Sequence, residues 1–260
     1  MLDVGGVRLH VMSTLDRGGI PLLIFNGIGA NASLLEPFMR ALPNATITFD
    51  IPGNGGSPVR LLPRRFAGWA DLATQLLDHF GIARAHVMGF SWGGALAQEF
   101  ALRHSTRIDR LVLAATTTGQ VSIPANPLVL SLMATPMRYI SKTFFRNVAG
   151  VLYGGDFRNN PARVEQQARF MTAPSTLAYL GQLYSITGWT SAFRLYRLQA
   201  PTLILAGEDD PLIPAINARF MATAIPNAQL QMYDCGHMFL ITRLDAVVRR
   251  VEDLDRKRHV

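Results

Sequence analysis

Ser91 has the sequence surroundings of a nucleophile. It lies in the hexapeptide Gly-Phe-Ser-Trp-Gly-Gly at residues 89–94, between a predicted strand and a helix predicted to begin near Trp92. A sharp strand-to-helix turn of the Gly-x-Ser-x-Gly type exposes the serine hydroxyl, and its glycines leave room where a Cβ would collide with the adjoining strand or helix. The pattern therefore predicts a nucleophile elbow; the alternative is a glycine-rich turn that only closes a strand.

A serine hydroxyl is a poor nucleophile unless a base removes its proton, and the base in turn needs an orienting carboxylate. His237 suits the base, because it follows the last predicted strand beside Gly236, in a loop at the carboxyl edge of the predicted sheet. The other histidines occupy predicted strands, helix ends or the terminal tail, where structural or solvated roles are expected: His10, His79, His86, His104 and His259.

The carboxylate is expected in the loop Gly-Glu-Asp-Asp-Pro at residues 207–211. Asp210 is favoured because Pro211 holds the residue before it in an extended backbone conformation. Spacing alone leaves Asp209 open, and a solvated role is expected for it. The order Ser91, Asp210, His237 is the chain order of an α/β-hydrolase triad.

Two backbone N–H groups are expected to stabilise the oxyanion of the reaction, one from the residue after the serine and one from a loop after an earlier strand. Trp92 and Ile28 fit these places, since Ile28 lies in the loop Asn-Gly-Ile-Gly-Ala-Asn at residues 26–31. A phosphate loop is a weak alternative, because the third glycine and a following Lys-Ser/Thr are missing.

The elements that position these residues follow an alternation of short β-branched or aliphatic runs with longer amphipathic ones, which indicates a parallel sheet with crossover helices. Strands are predicted at residues 7–12, 21–25, 46–49, 85–90, 108–115, 202–206 and 229–233. Helices are predicted at residues 65–80 and 214–224, and from about 92 and 242. We predict an α/β-hydrolase fold with a mostly parallel central sheet flanked by helices.

Residues 119–198 are predicted to form a helical cap inserted into a core of residues 1–118 and 199–260. This window carries +6 of the formal net charge of +7 and is rich in methionine and aromatic residues. Nucleic-acid binding requires a basic stripe over the domain, so the confined charge argues against a nucleic-acid partner. The aromatics either line an apolar cleft or form the cap's own core, with the arginines on its solvated face.

The composition excludes several other classes of protein. With 260 residues, 49% of them hydrophobic, the chain can form a single domain with a sizeable core. One cysteine, Cys235, allows neither a disulfide framework nor a cysteine-rich metal site. Charged residues interrupt the first 25 positions, and no apolar run approaches the ~18 residues of a membrane span. A cytoplasmic location is expected, with no cofactor and no metal.

The sequence resembles the α/β-hydrolases, and among them the intracellular depolymerases of medium-chain-length poly(3-hydroxyalkanoates). The stretches that carry the resemblance span nearly the whole chain: LLIFNGIGAN at 22–31, SWGGALAQ at 91–98, YGG at 153–155, GWTS at 188–191, PTLILAGEDDPLIP at 201–214 and GHMFLITR at 236–243. The resemblance implies the same nucleophile, acid and base as the chemical argument: Ser91, Asp210 and His237.

The expected reaction is hydrolysis of polyester bonds through an acyl-enzyme, releasing 3-hydroxy acids or short oligomers. Adsorption to a polymer granule is expected from the cap, because its aromatics and methionines offer adaptable apolar contact. Arg138, Lys142 and Arg146 are a candidate basic face for the same adsorption. The alternative is a soluble carboxylesterase or lipase acting on small or medium-chain acyl esters, followed by perhydrolase or carbon–carbon hydrolase activity on the same triad. A non-catalytic binding protein would show an eroded triad, whereas all three positions are filled. The oligomeric state is not specified by the sequence.

Overall fold

The computed structural model describes residues 1–256, so His259 lies outside the described residues. Its strands are β1 Leu2–Val4, β2 Val7–Leu9, β3 Val11–Ser13, β4 Leu22–Phe25, β5 Thr46–Phe49, β6 Ala85–Phe90, β7 Ile108–Ala114, β8 Thr202–Gly207 and β9 Ala228–Tyr233. Strands β1 and β2 form a separate hairpin, and the other seven form one sheet in the order β3-β5-β4-β6-β7-β8-β9. All pairs in this sheet are parallel except β3 with β5, which is antiparallel. The predicted fold class is confirmed.

The prediction of one continuous strand at residues 7–12 is wrong, because the structure divides it into β2 and β3 at His10. Leu9 pairs with Leu2 in the hairpin, whereas Val11 pairs with Phe49 in the main sheet. The chain changes partner at His10, whose Nδ1 atom lies 2.7 Å from Oδ2 of Asp50. Sequence periodicity does not reveal such a change, because both short strands alternate in the same way.

Helices cover both faces of the sheet. They are α1 Glu36–Ala41, α2 Phe66–His79, α3 Trp92–Arg103, α4 Pro127–Met133, α5 Met137–Ile140, α6 Lys142–Tyr153, α7 Gly155–Asn159, α8 Pro161–Phe170, α9 Thr176–Ile186, α10 Ile216–Ala224, α11 Phe239–Thr242 and α12 Leu244–Arg256. One buried cluster includes side chains of α2, α3 and α10, and the other includes side chains of α1, α11 and α12. Within residues 1–256 no helix has the length and apolarity that crossing a membrane requires.

Helices α4 to α9 follow one another between β7 and β8, and four of them begin at a residue whose side chain accepts a hydrogen bond from the first turn: Asn126, Ser141, Asn160 and Ser175. Such side chains satisfy backbone N–H groups that a helix leaves unpaired. Several of the aromatics in this segment are buried in the second cluster, including Phe145, Tyr153 and Phe157. These three residues therefore belong to a core, whereas Phe193 is 74% exposed.

Candidate active site

Ser91 occupies the turn between β6 and α3 with a φ of 55°, a left-handed conformation that is rare for residues other than glycine. The neighbouring glycines are required by close backbone contacts. A Cβ on Gly89 would lie 2.1 Å from the carbonyl oxygen of Gly93, and a Cβ on Gly93 would lie 2.1 Å from that of Phe25. The turn thus has the shape that the sequence pattern predicts, with the serine at the carboxyl end of a central strand.

Hydrogen bonds on both sides hold the backbone of Ser91 in this strained conformation. Its N–H donates to the carbonyl oxygen of Ala114 in β7 over 2.8 Å. Its own carbonyl accepts from Oγ1 of Thr116 over 2.8 Å and from the N–H of Gly94 over 2.9 Å. Backbone strain persists only where the surroundings fix it, and strained residues are concentrated at functional sites.

His237 stands between Ser91 and Asp210. Its Nε2 lies 3.1 Å from Oγ of Ser91, and its Nδ1 lies 2.7 Å from Oδ2 of Asp210. The imidazole is 2% exposed. Because a carboxylate can only accept, Nδ1 carries the proton and Nε2 is left free to accept the proton of the serine. The three predicted triad residues are brought together in hydrogen-bonding geometry.

Asp210 is held as an acceptor by the turn that follows it. Its Oδ1 accepts from the N–H groups of Leu212 and Ile213 over 2.9 and 2.8 Å. These bonds leave Oδ2 directed at the histidine. A carboxylate with both oxygens bonded to N–H groups is fixed in orientation.

Asp209 differs from the solvated residue that the sequence predicts. Its Oδ2 accepts from the N–H of Gly155 over 2.7 Å and from Nη1 of Arg158 over 2.8 Å, and its side chain is 43% exposed. The partners belong to the helical segment α4–α9, which sequence spacing does not place beside this loop. Asp209 joins that segment to the loop that carries Asp210.

The predicted oxyanion residues flank the serine. Trp92 is the first residue of α3, and Ile28 lies in the loop after β4. That loop approaches the serine closely, because a Cβ on Gly27 would lie 3.6 Å from Cβ of Ser91. Among residues 1–256 no protein acceptor pairs with the N–H of Ile28 or of Trp92. Both donors are therefore available for a group bound at the serine.

Two residues near this site were not predicted, the buried Gln182 and the partly buried Tyr139. Oη of Tyr139 donates to the carbonyl oxygen of Ile28 over 2.7 Å, and Oε1 of Gln182 accepts from the N–H of Gly29 over 3.0 Å. Both belong to the helical segment α4–α9, in α5 and α9. No local sequence signal marks them, because their role depends on partners more than 100 residues earlier in the chain.

Cys235 lies two residues before the candidate base, but its environment does not activate it. Burial raises the pKa of this thiol to about 12, so it stays protonated and unreactive at neutral pH. Residues 1–256 contain no group of three or more His, Cys, Asp and Glu side chains placed to hold a metal ion.

The comparisons with known proteins agree on one family. Residues 20–244 match the family described as alpha/beta hydrolase fold. The chain is 49% identical over 229 residues to the poly(3-hydroxyalkanoate) depolymerase of Ectopseudomonas oleovorans, an alignment that covers 87% of this chain and 81% of that protein. It is 29% identical over 259 residues to the pimeloyl-acyl carrier protein methyl ester esterase of Aromatoleum aromaticum, covering 93% of this chain and 100% of that protein.

Among solved structures, the enol-lactonase of Burkholderia xenovorans LB400 superposes with a TM-score of 0.83 at 22% identity, covering 97% of this chain and 98% of that one. At this identity the likeness concerns the fold alone.

Proposed function

The chain belongs to the alpha/beta hydrolase family, and on that premise we propose that it hydrolyses ester bonds of medium-chain-length poly(3-hydroxyalkanoate) with Ser91 as nucleophile, His237 as base and Asp210 as orienting acid. The observation that carries the proposal is the chain of hydrogen bonds Ser91–His237–Asp210 at the strained turn after β6. The 49% identity to a poly(3-hydroxyalkanoate) depolymerase supports the choice of substrate.

In the first half of the reaction, Nε2 of His237 takes the proton of Ser91 as Oγ attacks the ester carbonyl carbon. The carbonyl oxygen becomes an oxyanion, which accepts hydrogen bonds from the N–H groups of Ile28 and Trp92. Asp210 stabilises the positive charge that forms on the imidazole. The histidine then gives its proton to the leaving alcohol oxygen, and an acyl-enzyme remains on Ser91.

In the second half, water replaces the alcohol. His237 takes a proton from the water, the hydroxide equivalent attacks the acyl carbon, and the same two N–H groups hold the second oxyanion. Collapse of this intermediate returns the proton to Oγ of Ser91 and releases a 3-hydroxy acid or a short oligomer. Each step uses donors already fixed by the fold, so little reorganisation is needed as charge develops.

We further propose that residues 119–198 form a cap over this site, with residues 1–118 and 199–260 as the core. The cap touches the site through Tyr153, whose ring stacks on the His237 imidazole with centroids 6.1 Å apart. A wall of this kind would bind the alkyl side chains of the substrate and exclude water from the acyl-enzyme.

A basic adsorption face made of Arg138, Lys142 and Arg146 does not fit the structure. Arg138 is buried and donates to Oη of Tyr179 over 2.6 Å, and Arg146 is paired with Glu165 over 2.7 Å. Lys142 and Arg146 are exposed, but the charge of Arg146 is matched by that of Glu165. The burial of Arg138 could not be predicted from the sequence, because it depends on the tyrosines of the neighbouring helices.

The surface that best suits a granule is apolar instead. Leu61 and Leu62 are 80% and 72% exposed, and they face an exposed stripe of α9 across a groove of about 180 Å³. The stripe consists of Leu177, Leu180 and Tyr184. Exposed apolar side chains that cluster in this way mark interaction surfaces. We propose that this Leu61–α9 surface contacts the polyester granule.

Acid release from an amorphous poly(3-hydroxyoctanoate) suspension, measured beside hydrolysis of p-nitrophenyl octanoate, tests the function. The proposal predicts release from both substrates and loss of both activities in Ser91→Ala. Hydrolysis of the soluble ester alone would favour the carboxylesterase alternative. Full activity of Ser91→Ala would overturn the assignment of the nucleophile.

A further inference from the structure

Gln182 is a fully buried residue of α9 whose polar groups bond to both sides of the candidate oxyanion hole. Its Oε1 accepts from the N–H of Gly29, next to Ile28, over 3.0 Å. Its carbonyl oxygen accepts from Nε1 of the Trp92 indole over 2.9 Å. Side chain and main chain of one residue thus reach the two segments that supply the oxyanion donors.

The NH₂ group of the Gln182 side chain also connects to the loop that holds Ile28, through Asn54. Its Nε2 donates to Oδ1 of Asn54 over 3.2 Å, and Nδ2 of Asn54 donates to the carbonyl oxygen of Ala30 over 3.0 Å. The loop that holds Ile28 is therefore tied at two successive points, Gly29 and Ala30. A buried amide is stabilising only when its donors and acceptors are paired, and here these partners surround the reacting centre.

Tyr139 completes the contact from α5. Its hydroxyl donates to the carbonyl oxygen of Ile28 over 2.7 Å, so the peptide unit joining Ile28 to Gly29 is bonded at both its C=O and its N–H. A peptide unit is planar, so bonds at both ends fix its rotation. Gly29 has a φ of +73°, and a Cβ there would lie 2.6 Å from the Tyr139 ring. The loop and the helical segment are in direct contact.

We propose that Gln182 is a positioning residue that aligns the N–H groups of Ile28 and Trp92 as one oxyanion hole, with Tyr139 fixing the Ile28 side. The segment between β7 and β8 then helps to form the oxyanion hole as well as covering the substrate. The hole is aligned only while α5 and α9 contact the core. This inference rests on the proposed function, since it assumes that the two N–H groups hold the oxyanion.

The alternative is that Gln182 and Tyr139 serve only stability. An oxyanion donor acts on the transition state more than on the bound substrate, so a misaligned hole should lower kcat and leave KM unchanged. A loss of stability alone lowers the amount of folded enzyme and leaves the kcat of the folded fraction as it was. The kcat per folded enzyme, together with the inhibition constant of a tetrahedral adduct former, which does not depend on the amount of folded enzyme, therefore separates the two accounts.

The test uses Gln182→Met, which keeps the length of the side chain and removes the amide that bonds to Gly29 and Asn54. The main-chain bond of residue 182 to the Trp92 indole is kept, so this variant tests the Ile28 side of the hole. Tyr139→Phe removes one hydroxyl on the same side. Tyr179→Phe is the matched control, because the Tyr179 hydroxyl bonds to Met133 and Arg138 within the helical segment and not to the oxyanion loop. Each folded variant is assayed with p-nitrophenyl octanoate and with octaneboronic acid, an inhibitor that forms a tetrahedral adduct on the serine.

We expect kcat to fall about 10- to 100-fold in Gln182→Met and about 10-fold in Tyr139→Phe, less than the ~100-fold or more that loss of a whole donor causes. KM should stay unchanged, and the inhibition constant of the boronic acid should rise by the factor by which kcat/KM falls. Tyr179→Phe should keep the wild-type kcat.

An unchanged kcat in Gln182→Met, or an equal fall of kcat in Tyr179→Phe, would overturn the inference. So would a boronic acid inhibition constant that does not follow kcat/KM. Ser91→Ala separates this failure from that of the proposed function: if Ser91→Ala is inactive and Gln182→Met is normal, only the positioning role is wrong. If Ser91→Ala is active, the proposed function fails first.

Discussion

The main-chain N–H of His237 donates to the carbonyl oxygen of Tyr153 over 2.7 Å. The candidate base is thereby bonded to the end of α6, in the segment between β7 and β8, and the ring of the same tyrosine stacks on the imidazole. The packing here is too close for any side chain at the preceding residue, because a Cβ on Gly236 would lie 1.9 Å from the Tyr153 oxygen. The position of the base thus depends on contacts with the helical segment.

Gly236→Ala should therefore displace His237 and lower kcat about 100-fold, since a shift of about 1 Å at a catalytic group has an effect of that order. Gly68→Ala in α2 is the matched control, because a Cβ there meets nothing closer than 3.8 Å. The control should keep its kcat and gain about 0.5–1 kcal/mol in unfolding free energy. A folded Gly236→Ala enzyme with wild-type kcat would contradict the close contact.

The choice between the two neighbouring aspartates is testable with a pair of isosteric variants. Asp210→Asn should lower kcat about 10³- to 10⁴-fold, because an amide can donate to Nδ1 and hold His237 in the wrong tautomer. Asp209→Asn should change kcat little and cost at most about 1 kcal/mol of stability, since its ion pair with Arg158 is half exposed. Steady-state kinetics and urea unfolding of both variants measure kcat and stability. A larger loss of kcat in Asp209→Asn than in Asp210→Asn would assign the acid to Asp209.

Cys235 makes stability depend on pH above neutrality. Burial raises the pKa of its thiol from near 9 to about 12, so between these values the unfolded chain loses a proton that the folded chain keeps. The free energy of unfolding must then fall as pH rises, by up to ~1.4 kcal/mol per pH unit. Urea unfolding at about pH 9 and pH 10 should show a shallower fall in Cys235→Ala than in the wild type. If the unfolding free energy fell equally with pH in both proteins, Cys235 would not contribute to the pH dependence.

Adsorption of the enzyme to polymer granules should depend on the Leu61–α9 surface. Leu61→Ser with Leu62→Ser should weaken co-sedimentation with poly(3-hydroxyoctanoate) granules and lower acid release from them, while hydrolysis of p-nitrophenyl octanoate is unchanged. Phe220→Ser is the control, because Phe220 is 46% exposed on α10, which packs against β8 and β9, and it does not line the groove between Leu61 and α9. Equal losses in both variants would show that adsorption has no preferred face.

The parts of this site that could be predicted are those with local causes. The elbow is recognisable from a pattern of five residues, although Gly93 is required by its contact with Phe25 of β4. The order of acid and base follows from strands that end at one sheet edge. The boundaries of β5 and β6 also agree with the prediction, since each is a short run rich in β-branched or apolar residues that ends at a turn.

The contacts that could not be predicted join distant parts of the chain. Gln182 meets a loop 153 residues earlier, and Tyr139 meets it across 111 residues. In the sequence both resemble ordinary members of amphipathic helices. Arg138 resembles a surface cation for the same reason, although the structure buries it against Tyr139 and Tyr179. Pairing of buried polar groups becomes visible only after the helices are placed.

The role of Ser91 as nucleophile is tested best by identifying the residue that becomes acylated. Trypsin cuts after Arg84 and Arg103, so residues 85–103 form a peptide in which Ser91 is the only side chain with a hydroxyl group. Acid quenching of the reaction with p-nitrophenyl octanoate, followed by mass spectrometry, should find one octanoyl group on this peptide in the wild type and none in Ser91→Ala. An octanoyl group on another peptide would contradict the role of Ser91 as nucleophile. So would continued hydrolysis of the ester by Ser91→Ala.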